Sequence, residues 1–138
     1  SAGGNFAAVA ALACRDQGIA LEAQMLIYPA TDMTGLGDPD IRQAYFAGHF
    51  ERDCRNPKAS PLFARLDGVA PAILGVGPHD FLYKDNLAYA EALRAAKVPL
   101  VYREFPTLNH GFFSYTAISP ACAAAADQLC DDLRDMLA

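Results

Sequence analysis

Residues 70–105 read APAILGVGPHDFLYKDNLAYAEALRAAKVPLVYREF, and this stretch decides the fold. Ala70 to Gly77 is a short apolar run, with Pro71, Ala72, Ile73, Leu74 and Val76, that breaks at Gly77-Pro78; it reads as a buried strand. From Asp85 to Lys97 the apolar residues Leu87, Ala88, Ala90, Leu93 and Ala96 recur at helical spacing. Asp85 in the first turn and Lys97 in the last match the helix dipole. Val98 to Phe105 is rich in Val, Leu, Tyr and Phe and reads as a second strand. Two strands joined by one helix run parallel with a right-handed crossover, so the unit is β-α-β.

Working outward, Ala2 to Arg15 is dominated by Ala, Val, Leu and Phe without a polar face, as in a buried helix, with Gly18 as its terminator and Ser1 at the N-cap position. Ala23 to Tyr28, closed by Pro29, is the remaining strand. Thr31 to Leu66 loosens into turn residues with a short helix at Ile41 to Phe50, a connection long enough to shape a pocket. Pro120 to Leu137 is a closing amphipathic helix. Strand-helix alternation places residues 1–138 in the α/β class as one domain.

Composition narrows the function. A net charge of -5 with scattered Lys and Arg leaves no basic stripe for a phosphate backbone, which disfavours nucleic acid and anionic membrane surfaces. No apolar run reaches the roughly 20 residues of a membrane span. The cysteines Cys14, Cys54, Cys122 and Cys130 contain no C-x-x-C pair and read as buried free thiols. No His, Asp or Glu spacing resembles a metal site, and His49 and His79 are assigned no role. The chain begins with Ser1 inside an Ala/Gly-rich run, without a signal peptide, which points to an N-terminus further upstream and to the cytoplasm.

Function in an open parallel sheet gathers in the loops after the strands' carboxyl ends. There the chain carries Ser1, Asp80 and His110, a hydroxyl, a carboxylate and an imidazole in the order of serine hydrolases built on a strand-to-helix elbow. Ser1-Ala2-Gly3-Gly4-Asn5 matches the second half of a G-x-S-x-G elbow, with Gly3 as the small residue that lets the turn close. Each residue also has a plainer reading. Ser1 can simply cap the first helix, Asp80 can be a turn or capping aspartate, and His110 can be a structural histidine. Asp85 is a helix-start charge and the second-choice acid.

The segments SAGGN at Ser1, YPATD at Tyr28 to Asp32, SPL at Ser60 to Leu62, G-x-x-D at Gly77 to Asp80, YAEALRAA at Tyr89 to Ala96 and NHGF at Asn109 to Phe112 together resemble the hormone-sensitive-lipase-like branch of the α/β-hydrolase esterases. The resemblance implies a carboxylic-ester hydrolase without a cofactor or metal, with Ser1 as nucleophile, Asp80 as orienting acid, His110 as general base and acid, and the Ala2 amide as an oxyanion donor. Tyr28, Phe81, Phe112 and Phe113 become candidate pocket walls for small or medium acyl esters. Two other readings stand beside it: an N-terminal-nucleophile amidohydrolase using the Ser1 amine, and an inactive structural or interaction piece.

Set against the family pattern, the residues before the serine, the His-Gly-Gly segment and the first strands are not in the chain, and Phe81 stands where proline is common. The expectation is therefore a C-terminal portion of an α/β-hydrolase fold from a protein of roughly twice this length. Its partners would be a small-molecule ester and the missing N-terminal half of the same protein, with homo-oligomerisation left open.

Overall fold

The computed structural model describes residues 1–138 as a three-stranded parallel sheet wrapped by helices. The strands are β1 (Gln24–Ile27), β2 (Ala72–Val76) and β3 (Leu100–Glu104), in spatial order β1-β2-β3. The helices are α1 (Ala2–Asp16), α2 (Pro39–Phe46), α3 (Phe50–Asp53), α4 (Tyr83–Ala95) and α5 (Pro120–Leu137). Register aligns Gln24 with Ala72 and Ala72 with Leu100, so the carboxyl ends of all three strands finish together. That common end is where the candidate residues emerge.

All five residues of β2 are buried, as its unbroken apolar run requires of a strand covered on both faces. Leu129 of α5 packs against Gly75, so close that a Cβ there would lie 2.9 Å from its methyl groups. The main core joins Leu26, Ile73, Leu74, Leu93 and Leu129, all excluded from water. Burial of such a side chain contributes about 1.5–3 kcal/mol.

Local chemistry explains the element ends. Asp38 caps α2 by accepting the amides of Asp40 (2.9 Å) and Ile41 (3.0 Å), with Pro39 in the first turn. Ser119 caps α5 by accepting the Cys122 amide at 3.3 Å. The single helix expected over Ile41 to Phe50 is two, because Ala47 (φ 48°) and Gly48 (φ 82°) both adopt left-handed backbone that ends α2. The expected strands at Ala23 to Tyr28 and Val98 to Phe105 each shorten at both ends, and α4 starts at Tyr83, earlier than Asp85. Cysteine burial also needs correction: all four thiols are free, but Cys54 and Cys122 alone are buried, with Cys130 on the solvent side of α5.

The expected lack of N-terminal elements is corrected. The chain supplies its own first helix and strand, α1 docks on β1, and β1 and β2 share one core cluster of 19 buried residues with α1, α4 and α5, against which the partly buried Leu100, Val101 and Tyr102 of β3 pack.

Candidate active site

Three loops at the carboxyl edge of the sheet meet. The loops after β2 and β3 touch at Gly77, where an added Cβ would lie 2.0 Å from the Leu108 carbonyl oxygen. No residue but glycine permits that approach, and it brings Asp80 to His110. The His110 Nδ1 lies 2.9 and 2.8 Å from the two Asp80 carboxylate oxygens. An ionised carboxylate only accepts, so Nδ1 carries the proton and Nε2 is left as the basic nitrogen. Asp80 also accepts the Leu82 amide at 2.7 Å. Its side chain is 0% exposed and that of His110 is 23% exposed, which keeps the pair rigid while leaving the imidazole reachable.

Ser1 stands at the N-terminus of α1 and its side chain makes no capping hydrogen bond. The capping alternative is therefore not what its hydroxyl does. Its carbonyl accepts the amides of Asn5 (3.0 Å) and Ala30 (3.3 Å), and its amine donates to the Ile27 carbonyl at 2.8 Å. Ala2 follows as the first helical residue, whose amide has no acceptor within the helix. Gly4 lets α1 approach the loop after β1, since a Cβ there would lie 2.8 Å from Pro29 Cβ.

Of the four expected pocket residues, Tyr28 and Phe81 flank His110, with ring centroids 4.7 and 4.5 Å from the imidazole. Tyr28 is buried and has φ 37°, a conformation unfavourable for an aromatic residue, held by its amide on the Gly75 carbonyl at 2.8 Å. Burial raises the pKa of its hydroxyl. Phe112 packs edge-on against Tyr28 at 5.1 Å and lines an open cavity of about 500 Å³ beside His110, together with Leu108, Tyr115, Ile118 and Cys122. Tyr28, Phe81 and Phe113 lie outside that cavity lining, while Tyr115 and Ile118 were not read from sequence.

A hydrogen-bond network supports the loop that carries Tyr28. Asp85 is not the partner of His110: its Oδ2 accepts the amides of Thr31 (2.8 Å) and Asp32 (3.1 Å), and its Oδ1 accepts the Thr31 hydroxyl. Asn86 donates to the Pro29 carbonyl at 2.9 Å, and Asn5 to the carbonyls of Ala30 (2.7 Å) and Ala59 (2.8 Å). Side chains of α1 and α4 thus grip the loop that carries Tyr28. A YPATD segment followed far downstream by Asp-Asn was the signal available. His79 lies exposed beside Asp80, and no three His, Cys, Asp or Glu side chains converge as a cation site requires.

The family whose model is described as alpha/beta hydrolase fold matches residues 1–114. This chain belongs to the α/β-hydrolase family. The carboxylic ester hydrolase LipN of Mycobacterium tuberculosis is 34% identical, aligning with 97% of this chain and 41% of its own length. Among solved structures, that of DphMB1 superposes with a TM-score of 0.86 at 37% identity, over 99% of this chain and 50% of the other. An esterase of Pyrobaculum calidifontis superposes with a TM-score of 0.83 at 31% identity, again over 99% and 50%. The chain spans about half the length of the relatives it matches. The expected fold lacking its N-terminal elements, with a separate N-terminal half as partner, is corrected by two findings: 99% of the chain aligns with a solved structure of this fold, and its own α1 and β1 join the core.

Proposed function

We propose that the chain acts as a serine carboxylic-ester hydrolase, in which Ser1 is the nucleophile, His110 its base and Asp80 the residue that orients His110. The observation that carries this reading is the buried Asp80 carboxylate on His110 Nδ1 at 2.8 Å, with Nε2 left free for a hydroxyl. The uncapped Ser1 hydroxyl at a helix N-terminus and the unpartnered Ala2 amide supply a nucleophile and an oxyanion donor. Its relatives named as ester hydrolases and esterases add support.

In the reaction, Ser1 Oγ bonds to the ester carbonyl carbon as its proton passes to His110 Nε2. The carbon–oxygen bond to the alcohol then breaks, and the same proton leaves with the alcohol. Water repeats the sequence on the acyl-Ser1 ester and releases the acid. The aromatic and apolar surroundings of His110 favour small or medium uncharged esters. An amine base on Ser1 would leave the Asp80–His110 pair without a part in the reaction.

A fluorophosphonate probe tests the assignment. It should label Ser1, and Ser1→Ala should abolish both labelling and ester turnover; labelling at Ser60 or Ser114 instead would overturn it.

A further inference from the structure

We infer that Phe81 is the binding surface for the alcohol part of the ester and selects substrates whose alcohol carries an aromatic or other flat apolar group; this rests on the esterase reading above. Phe81 is 77% exposed, a large apolar side chain left in water one residue from the buried Asp80. It is nevertheless not loose: its ring lies 4.5 Å from the His110 ring, tilted by 43°. Tyr28 approaches the same imidazole at 4.7 Å but is buried, so of the two flanking rings Phe81 is the one a bound molecule can reach.

Chemistry assigns the side of the substrate. His110 Nε2 must deliver its proton to the alcohol oxygen as the carbon–oxygen bond breaks, so the alcohol lies against the imidazole at that moment. A ring packed on that imidazole therefore borders the leaving alcohol more closely than the acyl chain. An aromatic alcohol would cover the exposed face of Phe81 by offset or edge-on packing, which an ethyl group cannot reproduce.

The test separates the two halves of the ester. Benzyl acetate and ethyl acetate pass through the same acetyl-Ser1 intermediate, so any difference between them is confined to acylation and appears in kcat/KM. Their alcohols are nearly equal in acidity, which removes leaving-group chemistry as a cause. Phe81→Ala should lower the benzyl-to-ethyl ratio of kcat/KM by roughly two- to tenfold, the scale of one aromatic contact. Phe81→Tyr should restore it, and the ratio of ethyl butyrate to ethyl acetate should stay unchanged in both variants. A proportionate loss on all three esters would mean that Phe81 only supports His110, and would overturn the proposal. So would a shift in acyl preference, or an unchanged benzyl-to-ethyl ratio, which would place the alcohol in the cavity walled by Tyr115 and Ile118. Absence of fluorophosphonate labelling at Ser1 in the unsubstituted protein would instead overturn the esterase reading itself.

Discussion

Asp80 and Asp85 lie one short turn apart, between the end of β2 and the first turn of α4, and they serve opposite partners. Asp80 is buried and faces a titratable ring, the imidazole of His110. Asp85 is half-buried and faces fixed donors, two backbone amides and a hydroxyl of the Thr31–Asp32 segment. One carboxylate controls where a proton sits; the other ties a loop to a helix. What the pair teaches is that a carboxylate's job follows from what its partner can do, since the side chain and its place after the strand are nearly the same.

The sharpest way to break this contrast is Asp80→Asn. The amide can present its NH2 to Nδ1 and stabilise the wrong tautomer, so kcat should fall roughly 10⁴-fold while the fold survives. Ester turnover and thermal unfolding of the same preparation check both halves of that expectation. A mild Asp80→Asn beside a severe loss of turnover in Asp85→Asn would reverse the two roles.

Gly77→Ala comes next. Its Cβ would collide with the Leu108 carbonyl at 2.0 Å, and backbone cannot yield as a flexible side chain does. Displacement of the His110 loop by about 1 Å should cost on the order of 10²-fold in turnover. Overpacking should lower stability by about 1–3 kcal/mol, read from urea unfolding. Normal turnover in this variant would show that the contact between the two loops is not what sets the Asp80–His110 distance.

Asp85→Asn should act on stability more than on chemistry. Asparagine offers one acceptor oxygen where the Thr31 and Asp32 donors use two, so a donor loses its partner at a cost of about 1–3 kcal/mol. Urea unfolding measures the loss, and turnover per folded molecule should change little.

The smallest effect is one of pH. Burial raises the Asp85 pKa, ahead of the lowering by its Thr31 and Asp32 hydrogen bonds. The folded state therefore holds this proton more tightly than the unfolded chain, and that stabilisation is fully present below the unfolded value of about 4 and lost as pH rises through the higher folded value. The stability advantage of the unsubstituted protein over Asp85→Asn should be widest in acid and narrow toward neutrality. A gap that widens with pH would place the Asp85 pKa below its ordinary value.

Much of the fold was legible because its signals are local. The apolar run Ala72 to Val76, the helical spacing from Leu87 to Ala96 and Pro120 in the first turn of α5 each lie in or beside the element they define. The Ser, Asp and His order was legible for a similar reason, each lying in a short segment with its own turn residues. The grip on the Pro29–Asp32 loop was not. Asn86 and Pro29 are 57 residues apart, as Thr31 and Asp85 are 54 apart, and nothing periodic links them. The break at Ala47 carries no local signal either, because alanine favours helix and yet adopts φ 48° there.

By itself, then, the amino-acid order determined the α/β alternation, the parallel crossover and the three residue types available for acyl transfer, since hydrophobic period and turn chemistry act over one element at a time. The tertiary structure alone decided that Asp85 ties the Thr31–Asp32 segment to α4, that Gly4 rather than Gly3 is the crowded glycine, and that α1 and β1 enter one core with the later strands. Those outcomes depend on distances between segments far apart in the chain, which close packing sets to a fraction of an ångström and which no local pattern encodes.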